Sequence, residues 1–166
     1  MNSIYVIGDL HFGNSTIFKQ RGFYSIEEHD AVTIERINSR CDKSDTLIIC
    51  GDVVSRYMEH VPEFLQLLIC RKRIILGNHD RQERLAEVLT NVLGYYGSYA
   101  HRQYLFTHIP VHPFQFEKDK KRTVNVHGHL HSKRINLNCV DPWNFKDPRY
   151  INVSWEQLNG FPMLIS

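Results

Sequence analysis

Three times in its first eighty residues the chain runs a short apolar stretch into a glycine and then into polar or acidic residues: "SIYVIGDLH" (3–11), "DTLIICGD" (45–52) and "KRIILGNHD" (72–80). Stretches this short and this rich in β-branched residues read as buried strands that end at the glycine. Helical patterns lie between and after them. Ser25 followed by Glu28 forms a capping box ahead of Ile26, Val32, Ile34 and Ile37. "HVPEFLQLLIC" carries Val61, Phe64, Leu65 and Leu68 at helical spacing with Pro62 near its start, and Leu85, Val88, Leu89 and Val92 repeat that spacing before Gly94. Strands alternating with helices imply a parallel sheet built from crossover units.

After Gly97 the texture changes to short strands and turns, "YAHRQYLFTH", "TVNVHGH", "RINLNCV", "YINVSW" and "FPMLIS", which predict a mostly antiparallel or mixed sheet. No linker or repeat separates the halves, so residues 1–166 are expected to form one α/β domain with two sheets. Twenty basic residues against eighteen acidic ones leave no broad positive field of the kind a dedicated nucleic-acid binder carries. The run "EKDKKR" (117–122) reads as a solvated loop. Cys41, Cys50, Cys70 and Cys139 form no C-x-x-C pair, and several sit in apolar runs, as reduced buried thiols of a cytoplasmic protein would. "IYVI" is too short for a signal segment or membrane span, and no membrane partner is expected.

The chemistry gathers where the strands end. Asp9 and His11 follow the first strand, Asp52 the second, and Asn78, His79 and Asp80 the third; His108 follows "YLFT", and His129 and His131 follow "TVNVHG". Carboxyl ends of parallel strands face one crevice, so these residues should meet there. A lone histidine in such a place is ordinarily a satisfied polar group, but an ordered series of this kind seldom arises by accident. Mixed imidazole, carboxylate and amide donors suit manganese, iron or zinc, and argue against an all-oxygen calcium site or a thiolate zinc site.

In order, "GDLH" (8–11), "GDVV" (51–54), "GNHD" (77–80), "TH" (107–108) and "GHLH" (128–131) resemble the motifs of the calcineurin-like metallophosphoesterase superfamily, in its small cap-less form. The closing "NVSWEQLNGFPMLI" resembles the end of small bacterial and phage members. The resemblance implies a four-layer α/β/β/α sandwich of two mixed sheets. It also implies two divalent ions, manganese foremost with iron, zinc or nickel as alternatives. Asp52 would bridge them, Asp9, His11 and His131 would complete one set, and Asn78, His108 and His129 the other. The implied reaction is hydrolysis of a phosphomonoester or phosphodiester by in-line attack of a bridging hydroxide.

His79 would then act at the leaving oxygen, with Asp80 either holding the His79 ring or capping a helix from Arg81. Asn14 stands where small members often carry histidine, and it joins Arg21, Arg56 and His112 as a candidate substrate contact. His127 is left as a residue that supports the ligands or as a structural one, and His29, His60 and His101 as ordinary surface or capping histidines. The expected substrate is a phosphorylated small molecule, a nucleotide or a nucleic-acid end. Two rival readings stay open: an enzyme specific for cyclic nucleotides or nucleic-acid ends, and a non-catalytic protein-binding scaffold on the same fold.

Overall fold

The computed structural model describes residues 2–54, 61–81, 85, 91–135 and 147–165. Two mixed sheets lie face to face. The first holds β1 (Ile4–Ile7), β2 (Thr46–Cys50), β3 (Arg71–Ile75), β4 (Val92–Tyr96) and β9 (Met163–Ile165), in the order β4-β3-β2-β1-β9. The second holds β5 (Tyr99–His101), β6 (Tyr104–Thr107), β7 (Val124–His127) and β8 (Tyr150–Asn152), in chain order. Parallel pairing joins β1 to β2, β2 to β3, β3 to β4, β6 to β7 and β7 to β8; β9 runs antiparallel to β1, and β5 to β6.

The period of two along each strand sorts side chains into two cores. Ile7, Leu47, Ile49 and Ile74 pack with Leu65, Leu68 and Trp155 on the helical side of the first sheet. Their neighbours Val6, Ile48, Cys50 and Ile75 pack against Phe106, Val126 and Val153 between the sheets. A strand buried on both faces needs an unbroken apolar run, which is what "IYVI" and "TLIIC" supply. The helical layer contains α1 (Ile17–Gln20), α2 (Ile26–Asn38), α3 (Val61–Leu67) and α5 (Trp155–Leu158). On the outer face of the second sheet, Phe116 of α4 (Phe114–Lys118) meets Tyr150 edge-on at 5.5 Å. No described helix is long and apolar enough to cross a membrane.

Ser25 caps α2 as expected, accepting from Glu28 N at 3.1 Å, although the Glu28 carboxylate returns to Tyr24 N rather than to Ser25. The buried stripe of α2 differs from the expected one: it is His29, Asp30, Thr33 and Ile37, with Ile26, Val32 and Ile34 only half-buried. His29 is therefore not a surface histidine. The helix lies over polar partners, among them Trp155, whose indole nitrogen donates to Thr33 Oγ1 at 3.0 Å.

Three other expectations change. Val92, placed in a helix by its spacing, instead opens β4 and pairs with Lys72 of β3, because an open sheet edge competes for the same apolar residues. "FPMLIS" does not join the second sheet; β9 returns to the first and pairs with β1. "YINVSW" gives only the three residues of β8 before α5 begins. Val88, Leu89, His60, Arg56, Cys139 and most of "RINLNCV" lie outside the described residues, while Cys41, Cys50 and Cys70 are buried free thiols.

Candidate metal centre

Every expected ligand sits just past the carboxyl end of a strand: Asp9 and His11 after β1, Asp52 after β2, Asn78 after β3, His108 after β6, and His129 and His131 after β7. Beyond the last ladder residues the loops hold one another. Asp9 N donates to Gly51 O at 3.0 Å and His11 N to Asp52 O at 2.9 Å, while Gly128 N donates to His108 O at 3.0 Å. His79 N donates to Asp52 Oδ1, and His129 N to Asp9 Oδ2, both at 2.9 Å. The carboxylates are thereby aimed by backbone amides before any ion is considered.

Five of these residues take left-handed backbone angles: Asp9 (φ 54°), His11 (φ 52°), Asp52 (φ 51°), His129 (φ 67°) and His131 (φ 50°). Each such residue costs roughly 1–2 kcal/mol relative to the right-handed basin, and such strain gathers where a site needs it. Tight turns bring neighbouring backbones so close that only glycine fits beside the ligands. A Cβ on Gly77 would strike the Asp52 carboxylate, and one on Gly128 would lie 2.6 Å from Asp9 Oδ2.

Two overlapping donor groups result. Asp9, His11 and His131 place ligand atoms within 4.8 Å of one another, and so do Asp9, Asp52 and His108. Asp52 Oδ2 lies 3.6 Å from His11 Nε2 and 3.5 Å from His108 Nε2, between the two histidines. His108 Nδ1 faces Cys50 O at 3.0 Å and donates to it, which leaves Nε2 as a lone pair. That lone pair points at Asn78 Oδ1, 2.8 Å away, and at His129 Nδ1, 3.2 Å away. With the ring neutral, a lone pair facing these oxygens is repulsive until a proton or a metal ion lies between them.

His11 gives the clearest test of fit. It is 3% exposed, and neither of its ring nitrogens has a hydrogen-bond partner. An unpaired buried nitrogen costs about 1–3 kcal/mol, so two on one ring, beside two buried carboxylates, fit a metal ligand far better than a packing residue. Burial, reinforced by Arg21, His131 and His79, lowers its pKa to about 3, and burial also lowers that of His129. Both rings are thus held in the neutral form that binds metal. Burial raises Asp9 to about 6 against the opposing effects of Ser154, His108 and His131.

His79 stands apart from this group. Its side chain is 40% exposed, its Nε2 is 4.0 Å from Asp52 Oδ2, and its ring meets His11 edge-on at 5.3 Å. Asp80 does not hold that ring. Its two oxygens accept from Val53 N and Gly77 N, both at 2.9 Å, tying the loop after β2 to the loop after β3. A cleft of about 400 Å³, lined by Leu76, Asn78, Gly97, Thr107, His108 and Ile109 among others, opens beside the Asn78–His108 side.

The expected substrate contacts fare unevenly. Asn14 Oδ1 caps α1, accepting from Thr16 N, Thr16 Oγ1 and Ile17 N at 2.9–3.1 Å. His112 is exposed and accepts from Phe114 N at 3.2 Å. Arg21 is not a free fork for phosphate. Its guanidinium is buried and donates to Glu156 Oε1, Asp9 O and Leu10 O. It also donates to His29 Nε2 at 2.8 Å, so that His29 Nδ1 donates in turn to Asp30 Oδ1 at 2.7 Å.

Glu156 is the residue the sequence did not reveal. Its Oε1 lies 3.0 Å from His131 Nδ1, which leaves His131 Nε2 for a ligand. Burial pushes the Glu156 carboxyl up, but His131 and Arg21 outweigh it and hold the pKa at about 2. His127, by contrast, points away: it is buried on the outer face of the second sheet, against Gly128 O at 2.8 Å and the Tyr150 ring.

Comparisons with known proteins bear on the fold and the family. A protein of Methanocaldococcus jannaschii of uncharacterized function is 29% identical over 98% of this chain and 87% of its own length. A crystal structure from Aquifex aeolicus, of a protein of unknown function, shares the fold with a TM-score of 0.72 at 20% identity, covering 99% of this chain and 96% of that one. The phosphopantetheinyl hydrolase of Mycobacterium tuberculosis superposes with a TM-score of 0.55 at 13% identity, covering 99% and 95%. The family model described as calcineurin-like phosphoesterase matches residues 3–161, and the chain belongs to that family.

Proposed function

We propose that the protein is a metal-dependent phosphoesterase acting through two divalent ions, and one observation carries the reading. The two unpartnered, buried nitrogens of His11 lie within a converging set of carboxylate and imidazole donors. Asp9, His11 and His131 would hold one ion and Asn78, His108 and His129 the other, with Asp52 shared. When bound, such a pair lowers the pKa of a water and neutralises charge on phosphoryl oxygens. Manganese is the first candidate, with iron, zinc and nickel behind it.

The chain's own groups then divide the work. Backbone amides fix Asp9 and Asp52, so the donor set needs no rearrangement. The exposed ring of His79 borders the open side, where it can give a proton to, or hydrogen-bond, a departing oxygen. The cleft beside His108 is open enough for a nucleotide or nucleic-acid end as well as a small phosphomonoester.

The test is hydrolysis of a nitrophenyl monoester, a nitrophenyl diester, a cyclic nucleotide and a single-stranded oligonucleotide, with manganese, nickel and zinc in turn. Activity should disappear on chelation and return with metal. Asp52→Ala should abolish it, and His79→Ala should lower kcat by ~10²–10⁴-fold with metal content unchanged. Undiminished turnover by Asp52→Ala would sink the proposal. A wild-type protein that binds no metal and cleaves none of the four esters would leave the scaffold reading in its place.

A further inference from the structure

We propose that the buried Arg21–Glu156 pair is a positioning element that sets all three ligands of the first ion, Asp9, His11 and His131, from a single bracket. This rests on the two-ion reading above and goes beyond it, because neither residue is a ligand in that reading.

Glu156 controls the ring of His131. Its Oε1 is shared between Arg21 Nε at 2.9 Å, Arg21 Nη2 at 2.8 Å and His131 Nδ1 at 3.0 Å. The His131 contact fixes both the tautomer and the plane of the ring, so that Nε2 faces the Asp9–His11 side. The ring also stacks nearly parallel on His11, with centroids 5.3 Å apart, but its side chain is 35% exposed, so the Glu156 contact rather than packing sets its orientation.

Arg21 controls the other two. Its Nη2 donates to Asp9 O at 2.7 Å and its Nη1 to Leu10 O at 3.0 Å. These carbonyls belong to the turn in which Asp9 and His11 both take left-handed angles. A guanidinium with its hydrogens on two successive carbonyls holds a turn that the backbone alone would not favour.

Arg21 is itself held from behind. His29 accepts from Nη1, Asp30 accepts from His29, and the other Asp30 oxygen accepts from Gly13 N at 2.8 Å. The guanidinium also lies over the Trp155 ring, 4.6 Å from its centroid. The buried polar stripe of α2 thus ends in a support for the centre rather than in an apolar core.

A buried ion pair is a weak source of stability, because desolvation cancels most of the attraction. Apolar residues of similar volume would hold α1 and α5 together as well. They would not orient an imidazole nitrogen or grip two carbonyls.

The experiment is titration of the metal-free full-length protein with Mn²⁺ alone, by calorimetry and by electron paramagnetic resonance, for wild type, Glu156→Gln, Glu156→Ala and Arg21→Lys. Thermal melting of each metal-free variant serves as the control for folding. Wild type should bind two ions. Glu156→Ala and Arg21→Lys should weaken one of them ~10–100-fold while the other stays close to wild type. Glu156→Gln, which keeps an acceptor for both partners, should lose less than Glu156→Ala, and it decides the matter if the alanine variant does not fold. Wild-type affinities at both sites in a folded variant would overturn the positioning role, as would equal weakening of both. A wild type that binds fewer than two ions would instead remove the two-ion reading, and this inference with it.

Discussion

Three histidines stand at alternate positions in "NVHGHLHS", and their surroundings make them unequal. His127 closes β7 with its ring on the outer face, while His129 and His131 follow Gly128 into left-handed turns that carry them to the centre. Alanine at 129 or 131 should remove one bound ion and most activity. Alanine at 127 should keep both and lower only the melting temperature. Metal content per chain and initial rate separate these outcomes, and matching losses at all three positions would contradict the assignment. Alternation alone would put all three on one face; what the sequence offered was the resemblance of "GHLH" to a family motif and Gly128 as the residue that breaks the strand after His127. Arg21, His29 and Asp80 were not legible. The partner that buries the Arg21 guanidinium lies 135 positions away, and no local pattern announces it. Sequence order sets Asp80 beside His79, whereas its oxygens serve amides across two loops.

At the scale of elements, the capping box and the strand–glycine–acid units were readable because their causes are local. Val92 and β9 were not, because their pairing depends on strands elsewhere. Entry into β8 has a local anchor of its own. Asp147 is buried, accepts from Arg149 N at 3.0 Å, and receives the Arg149 guanidinium through Nε at 3.0 Å and Nη2 at 2.7 Å. The hydrogen bond from Arg149 holds its carboxyl below the usual range. Its stabilising effect is therefore fully present above the unfolded pKa of about 3.9 and is lost as pH falls through the lower folded value. Asp147→Asn should destabilise the protein at pH 7, and the gap should close as acid denaturation proceeds. Urea melts of both proteins from pH 7 to about pH 2 would show the gap closing only below about pH 4, and a gap that stays constant across that range would count against the pair.

For the whole molecule, the proposed centre draws its donors from both sheets, which also meet through an apolar core and through backbone hydrogen bonds such as Gly8 N to Val153 O. Asp9, Asp52 and Asn78 come from the first sheet, and His108, His129 and His131 from the second. A cation shared among them should act as a clasp. Mn²⁺ at ~100 times its Kd should add about 2.7 kcal/mol to unfolding, seen as a rise in Tm that chelator reverses and that Asp52→Ala lacks. A Tm indifferent to Mn²⁺ in the wild type would rule the clasp out.

β9 has a further consequence, for the time at which that clasp can close during synthesis. β1 takes its second partner from residues 163–165, and Gly8 exchanges hydrogen bonds with Val153 and Trp155. All seven proposed ligands have been polymerised by residue 131, yet the turn that presents Asp9 and His11 lacks the Gly8 contacts to Val153 and Trp155 until more than twenty further residues are added, and β1 lacks β9 until more than thirty. Translation order thus separates the appearance of the donors from their assembly. If the centre holds an ion, the nascent chain presents every proposed ligand before the contacts that fix the Asp9–His11 turn exist.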